Sequence, residues 1–367
     1  LSSREEAREY RVQVLRDYAL LAAGEEDIPL SRFAGRQDPA TRTVGYGKAM
    51  FVFHMARQRM GDGSFWTALE EIYRTRLFKE TSWRAFAESF AANSHWTGKE
   101  ADRFFDQWVT RTGAPILGLD NVSMVHEGDT WGVKGTLLQE KPLYDLEVPV
   151  VLETEHGSQK QSVNIAGRSR SFSFNIKSRP VRLTVDPESH VFRLLNGEEI
   201  PATINTVKGA QTLTVVVSSN FDRKWLPLVK SLLIVLNQEG APVVSEQDLG
   251  GVPKGNLLFV GYPENQSLGK LLSRLPESSF SSKGFLFQGY AGEAGDGLFA
   301  YLKENGRVSA LFLPEEGSSL EEVEEMIRKI THYGTYSYLV FKQTEVAAKG
   351  RWEPESSPLT IELGEMQ

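Results

Sequence analysis

The sequence has 367 residues, of which 40% are hydrophobic and 24% charged, and it contains no cysteine. This length predicts more than one domain, each large enough to bury its own core. The absence of cysteine excludes disulfides, thiolate zinc sites, iron–sulfur clusters and a cysteine nucleophile within the chain. The net charge of −7 comes from 48 acidic and 41 basic residues mixed along the chain, without a basic stripe, so we expect no nucleic-acid partner.

The first residues, LSSREEAREYRVQVLRDYALLAAG, contain neither an initiator methionine nor the apolar core of a signal peptide. Their pattern is that of a helix inside a helical domain. We therefore expect the chain to be a fragment of a longer protein, and the alternative is a mature chain released by processing. The longest apolar stretch, around Leu226 to Leu236, is interrupted by Lys230 and Ser231, so no membrane span is predicted.

Residues 1–116 are predicted to be α-helical, because their apolar residues recur at helical spacing. Thr81 and Thr97 are candidate helix starts, and Glu100 lies at the capping-box position after Thr97. Residues 117–199 change to a period of two, in stretches such as TWGVKGTLLQ and RSFSFNIK, which predicts an antiparallel β-sandwich. An open barrel would give the same sequence pattern.

Residues 200–367 alternate between strand and helix patterns, with near-continuous apolar strands such as TLTVVVSS, NLLFVGY and VSALFLP. This pattern predicts an α/β domain with a mainly parallel sheet covered on both faces. Four closely spaced glycines in this region are interpreted as a hairpin or loop: Gly289, Gly292, Gly295 and Gly297. Residues 353–367 are expected to form a loosely held tail. The predicted fold is therefore a multidomain α+β protein in three parts.

The most informative segment is DPATRTVGYGKAM at 38–50, followed by a helix pattern and then GDGSFW at 61–66. In it Tyr46 is followed by one residue and then by Lys48 at the head of a helix. This arrangement resembles the membrane alanyl aminopeptidase (gluzincin) family of zinc metallopeptidases. Ala49 stands where that family usually has glycine, which is a small departure.

The resemblance continues downstream through Tyr73, FFDQWV at 104–109 and GAP at 113–115, and it spans roughly residues 38 to 200. It implies that residues 1–116 are the C-terminal part of a peptidase catalytic domain and that residues 117–199 are the β-sandwich that follows it. The ordered series is more specific than any one of its motifs.

The resemblance implies a catalytic role for Tyr46. In the family, this tyrosine donates its phenolic hydrogen bond to the oxyanion that develops during peptide hydrolysis. A phenol suits this task because it is neutral at pH 7 and donates without adding a charge. The alternative is a tyrosine packed at a helix start with its hydroxyl satisfied locally. Lys48 is interpreted as a surface or ion-pair residue.

A gluzincin zinc site needs His-Glu-x-x-His on one helix and a further carboxylate. The six histidines of this chain are too far apart to form that motif: His54, His95, His126, His156, His190 and His332. We therefore assign no metal-binding or cofactor-binding residue here and expect zinc only in the full-length protein, from a motif upstream of Leu1. The alternative is a family member that has lost its metal site.

The expected function is that of the C-terminal portion of a zinc-dependent aminopeptidase, which removes N-terminal residues from peptides and is inactive as this fragment alone. The alternative is a metal-free peptidase relative that acts as a binding or scaffold protein. Peptide is the expected substrate of the full-length protein, and a protein partner is expected for residues 200–367. The compartment is open, although export in the family favours a bacterial, extracytoplasmic setting.

Two further candidates are interpreted conservatively. His54 lies among apolar residues of the helix after Tyr46 and is expected to be a partly buried histidine rather than a ligand. SSN at 218–220 follows an apolar strand at a strand-to-helix junction, where α/β folds bind ligands. A phosphate site there lacks the glycine-rich backbone approach that such sites use.

Overall fold

The computed structural model describes residues 3–24, 27–35, 37–201, 203–210, 212–273, 275, 278–281, 284–304, 307–352, 354 and 356–364. The chain forms two compact units. The first comprises Leu1–Ile200 with Ser356–Gln367, and the second comprises Pro201–Glu355. The predicted helical and β-sandwich parts therefore share one compact unit. Within the described residues, no helix combines the length and apolar content needed to cross a bilayer.

The first unit begins with a helical part. Its helices are α1 (Arg4–Asp17), α2 (Pro39–Arg42), α3 (Ala49–Met60), α4 (Asp62–Arg76), α5 (Trp83–Ala92) and α6 (Gly98–Val109), with π-helical turns at Tyr18–Ala22 and Thr43–Lys48 and a 3₁₀ turn at Leu30–Arg32. The predicted capping box of α6 is present, because the Thr97 hydroxyl accepts from Glu100 N and the Glu100 carboxylate accepts from Thr97 N. The start of α5 differs, since Ser82 rather than Thr81 caps it by accepting from Ala85 N.

Two antiparallel sheets complete the first unit. Their strands are β1 (Leu117–Glu127), β2 (Thr130–Gln139), β3 (Leu146–Thr154), β4 (Gly157–Ile165), β5 (Ser169–Ile176), β6 (Pro180–Val185) and, from the end of the chain, β17 (Thr360–Glu362). The strand orders are β1-β2-β5 and β17-β6-β3-β4. Val133 and Phe172 from one sheet and Val148 and Leu152 from the other belong to one buried cluster. Two sheets that bury their inner faces together form a sandwich.

The expectation of a loosely held tail is wrong for its described part. β17 pairs with β6, and the flanking Leu359 and Leu363 are buried in the core of the first unit. The Ser357 hydroxyl donates to Glu199, whose carboxylate also accepts two bonds of 2.7 Å from the buried Arg193 guanidinium. Alternating apolar residues from Leu359 to Leu363 provide the period of two that a strand needs. Residues 353, 355 and 365–367 of the predicted tail lie outside the described residues.

The second unit combines strands and helices. Its elements are α7 (Ile204–Lys208), β7 (Leu213–Val217), α8 (Leu226–Val235), β8 (Val243–Ser245), β9 (Asn256–Val260), α9 (Gln266–Gly269), β10 (Ser278–Ser281), β11 (Gly284–Phe287), β12 (Tyr290–Ala291), β13 (Gly297–Glu304), β14 (Arg307–Pro314), α10 (Leu320–Ile330), β15 (Tyr338–Lys342) and β16 (Glu345–Gly350). Seven strands form one sheet in the order β16-β15-β13-β14-β9-β7-β8, while β10, β11 and β12 form a small antiparallel sheet.

The large sheet is mixed, not mainly parallel as the sequence pattern predicted. β8, β7, β9 and β14 run parallel, whereas β14, β13, β15 and β16 pair antiparallel. The β15–β16 hairpin turns at Gln343 and Thr344, whose φ angles of 48° and 69° are typical of a type I′ turn. β13 begins at Gly297, inside the glycine-rich stretch that was interpreted as hairpin or loop.

The two faces of this sheet are covered differently. On one face, α8 and α10 contribute Leu232 and Met326 to a buried cluster with strand residues such as Phe299. On the other face, Leu268 of α9 and Phe287 of β11 belong to a separate cluster. A sheet with both faces buried needs near-continuous apolar strands, which explains why the inner strands β7, β9 and β14 show no alternation.

Candidate functional site

Tyr46 lies in the π-helical turn Thr43–Lys48, which connects α2 to α3. The glycines on either side of it permit close packing of this turn. A Cβ on Gly45 would overlap the ring of Phe33, and one on Gly47 would come within 2.7 Å of Val14 Cγ1 in α1. The turn therefore packs closely against its neighbours at both glycines. This packing fixes the backbone from which the Tyr46 side chain projects. Single π-helical turns of this kind are frequent at functional sites.

The Tyr46 side chain is 58% exposed and lines a groove of about 900 Å³. The ring of Phe33 supports it edge-on, with 5.7 Å between the ring centroids. The phenolic hydroxyl makes no hydrogen bond to any residue that the structure describes. Tyr10 and Asp17 of α1 and Arg42 of α2 also line the groove. Tyr46 thus presents a free donor to a space large enough for a peptide segment.

Lys48, interpreted from the sequence as a surface or ion-pair residue, is fully buried instead. Its ammonium donates to the carbonyl oxygen of Arg111 at 2.8 Å and lies 5.8 Å from the ring centre of Phe192. Burial lowers the pKa of Lys48 to about 8, against the opposing effect of the Asp27 carboxylate. Among the described residues, no carboxylate lies within 4 Å of the Lys48 ammonium. The lysine therefore fastens the π-helical turn to the backbone beyond α6.

Asp27 organises the other side of this buried polar layer. Its carboxylate accepts from the Tyr18 hydroxyl at 2.7 Å and from the backbone N–H of Gly113 at 2.5 Å. Burial raises the pKa of Tyr18, and the Asp27 carboxylate raises it further. The Tyr144 hydroxyl donates to the Gly113 carbonyl oxygen at 2.9 Å, and Arg111 stacks on the Tyr144 ring at 4.1 Å. The 111–113 backbone is thus held from several directions beneath the Tyr46 turn.

His54 forms a pair that the sequence did not indicate. Its Nε2 lies 2.9 Å from Nδ1 of His190, so one ring donates and the other accepts. Burial lowers the pKa of His54 to about 4 and that of His190 to about 3. Both rings are therefore neutral at pH 7. The expectation of a partly buried His54 agrees with this geometry.

The strand ends near Ser218 already hold an anion, which comes from the protein itself. The Glu246 carboxylate accepts from the backbone N–H of Ser219 at 3.0 Å and from that of Asn265 at 2.6 Å. The Ser218 hydroxyl is bonded to Asn220 and to the carbonyl oxygen of Tyr262. These groups would be the donors of a phosphate site at the carboxyl ends of β7 and β9. Glu246 occupies them, so the structure gives this candidate no support.

Among the residues that the structure describes, no group of three or more His, Asp and Glu side chains is placed to hold a metal ion. These residues therefore do not fit a zinc site by themselves, and no step of the chemistry is assigned to a metal here.

Comparisons with known proteins include a partial structural likeness. No family model and no curated protein matches the chain. Part of the chain is similar to part of a solved structure, Legionella pneumophila aminopeptidase A in complex with aspartic acid, with 18% sequence identity and a TM-score of 0.35. The similar region covers 44% of this chain and 18% of that aminopeptidase. The matched region thus spans less than a fifth of the length of that aminopeptidase.

Proposed function

We propose that this chain is part of a zinc-dependent aminopeptidase of the gluzincin family, in which Tyr46 donates a hydrogen bond to the oxyanion formed during peptide hydrolysis. The observation that carries this proposal is the presentation of Tyr46. Tyr46 is exposed and lines a groove of about 900 Å³, and its hydroxyl has no partner among the described residues. The sequence series from 38 to 115 supports the same role.

The surroundings of Tyr46 suit transition-state stabilisation. A donor lowers an activation barrier most when it is already oriented and does not have to reorganise during the reaction. The packed glycines fix the backbone of the turn, and Phe33 supports the ring. Beneath the turn, Lys48 is bonded to the Arg111 carbonyl oxygen, which ties the turn to the end of the helical part. Tyr46 can therefore hold a developing negative charge without moving.

The proposal places the zinc ligands outside this sequence, since the chain contains no His-Glu-x-x-His. Zinc would polarise the scissile carbonyl and activate water in the complete protein. This chain contributes the phenolic donor and one wall of the substrate groove. The chain alone is accordingly expected not to hydrolyse aminoacyl anilides.

The test is a measurement of zinc content and aminoacyl-anilide hydrolysis on the full-length gene product, with Tyr46→Phe as the diagnostic variant. We expect one equivalent of zinc and a loss of roughly two to three orders of magnitude in kcat for Tyr46→Phe, the effect of removing one oxyanion donor. Tyr10→Phe is the matched control, because Tyr10 lines the same groove and is 49% exposed. That variant should keep nearly full activity.

Two results would overturn the proposal. A full-length protein that binds no zinc and cleaves no peptide would instead be a metal-free relative with a binding role. Equal activities of Tyr46→Phe and Tyr10→Phe, in an enzyme that does bind zinc, would remove Tyr46 from the catalytic machinery.

A further inference from the structure

A second cavity of about 160 Å³ lies elsewhere in the first unit. Helices α3 and α6, strands β3 and β4, and the segment after β6 contribute to its walls. Its apolar lining residues are Met55, Phe104, Trp108, Leu146, Pro149 and Val191. An apolar cavity of roughly 150 Å³ accommodates a benzene ring. This cavity is thus large enough for one ring or one branched aliphatic group.

Arg59 supplies a cation to this cavity that is held by aromatic rings and makes no hydrogen bond to the described residues. Its guanidinium lies over the rings of Trp96, at 5.4 Å, and Phe104, at 5.7 Å. It makes no hydrogen bond to any described residue, although its Nε is 3.7 Å from the Glu147 carboxylate. A planar guanidinium fixed by aromatic rings is pre-organised to bind a carboxylate with two parallel hydrogen bonds. Lys160 lines the same cavity and adds a second positive charge.

Two carboxylates balance these cations. Glu147 approaches Arg59 only at 3.7 Å, which is too long for a hydrogen bond, so its oxygens retain acceptor capacity. Asp145 also lines the cavity, and its contacts with Gln107 use only its backbone N–H and carbonyl oxygen. Its carboxylate has no hydrogen-bond partner among the described residues. The cavity therefore presents both signs of charge next to an apolar wall.

Two neutral polar groups of the lining residues also have no hydrogen-bond partner in the described part of the chain, and one of them, the Trp108 indole N–H, is buried. Nε2 of His190 has no hydrogen-bond partner in the described part of the chain, because His54 bonds only Nδ1. The indole N–H of Trp108 is buried and likewise makes no hydrogen bond there. Buried polar groups in folded proteins are normally paired, with a protein group, water or a ligand.

We propose that this cavity binds a small zwitterion with an apolar side chain, the chemistry of a free hydrophobic α-amino acid. The ligand carboxylate is bound by Arg59 and Lys160, the ammonium group by Glu147 and Asp145, and the side chain packs on Phe104. Only a ligand with both charges satisfies both sets of groups at once. Free amino acids are also the products of the reaction proposed above, but this binding does not depend on that reaction.

The test is isothermal titration calorimetry of L-phenylalanine into the purified 367-residue chain. We expect one saturable site with a dissociation constant of about 0.1 to 1 mM. Phenethylamine, which lacks the carboxylate, and 3-phenylpropionate, which lacks the ammonium group, should each bind at least about tenfold more weakly. Glycine should not bind measurably, because it has no group for the apolar wall.

Two variants test whether L-phenylalanine binds in this cavity, one removing a positive charge of the site and the other a negative charge. Arg59→Gln and Glu147→Gln should each weaken L-phenylalanine binding by about tenfold or more, while far-UV circular dichroism stays unchanged. Glu153→Gln is the matched control, since Glu153 lies on the same strand as Glu147 but does not line the cavity. Absence of saturable binding up to about 10 mM would overturn the proposal. Equal binding of 3-phenylpropionate, or binding that neither variant weakens, would overturn it as well.

Discussion

Lys48 places a positive charge in the interior, and its effect on stability depends on pH. Its pKa is about 8 in the folded state and 10.5 in the unfolded chain, so between these values the unfolded state binds more protons. Stability contributed by this residue therefore rises with pH across that window. We expect the wild type to gain about 1 to 2 kcal/mol relative to Lys48→Met between about pH 7.5 and about pH 9.5. Urea unfolding at the two pH values measures this difference.

A matched control for this prediction is Lys134→Met, because Lys134 is exposed on β2. Its stability should follow that of the wild type at both pH values. If the unfolding free energies of Lys48→Met and the wild type instead differ by the same amount at both pH values, the ammonium of Lys48 is not desolvated as its burial indicates.

At the level of single residues, the sequence indicated Tyr46 but not the groups beneath it. Tyr46 could be proposed as a site residue because it belongs to a local motif of consecutive residues, and its role stays a prediction. Asp27 was not, since its partners Tyr18 and Gly113 lie 9 and 86 positions away and no local spacing connects them. The burial of Lys48 was missed for a similar reason, because its acceptor, Arg111, is 63 positions away.

The His54–His190 pair joins two elements, helix α3 and the segment that follows β6. The folded-state pKa values of His54 and His190 both lie below the ordinary value of 6.5. Below pH 6.5 these two histidines are therefore protonated in the unfolded chain but still neutral in the folded state. Stability is then lost as the pH falls from about 6.5 toward 4. Asp186 opposes this loss, because burial raises its pKa to about 6 against the effects of Arg193 and two backbone N–H donors. The stability lost through the two histidines is larger than the stability gained through the one carboxyl group.

We therefore expect the wild type to lose about 1 to 3 kcal/mol of stability between about pH 7 and about pH 5. The double variant His54→Gln with His190→Gln should lose less over the same interval. His156→Gln, which changes an exposed histidine, should behave like the wild type. Chemical unfolding at both pH values measures the effect, and an unchanged acid sensitivity of the double variant would contradict it.

At the level of elements, the predictions succeeded where the signal was local. The capping box of Thr97 and Glu100 needs only four consecutive residues, and it is present. The direction of strand pairing is not local. β13 follows a glycine-rich stretch and was not predicted as a strand, and it pairs antiparallel with both β14 and β15. The mainly parallel prediction was therefore wrong where a strand had been missed.

At the scale of the whole molecule, the two compact units have separate buried clusters. In the first unit, helices α1 to α6 and both sheets contribute to one buried cluster. In the second unit, the mixed sheet has one buried cluster on each face. The sequence predicted where the period changes near residue 117 but not that the parts on either side share one core. It also did not predict that the last strand of the first unit comes from the end of the chain.

This separation predicts how destabilisation is distributed. Leu363 is fully buried in the first unit, and its backbone N–H donates to Val181 O at 2.8 Å. Leu363→Ala should cost about 2 to 5 kcal/mol and speed hydrogen exchange in β3 and β6. Exchange in β9 and β14 should not change. Leu311→Ala, at a fully buried site in β14, should instead speed exchange in β9 and β14 and leave β3 and β6 unchanged. Faster exchange in all four strands for either variant would mean that the two units unfold as one cooperative structure.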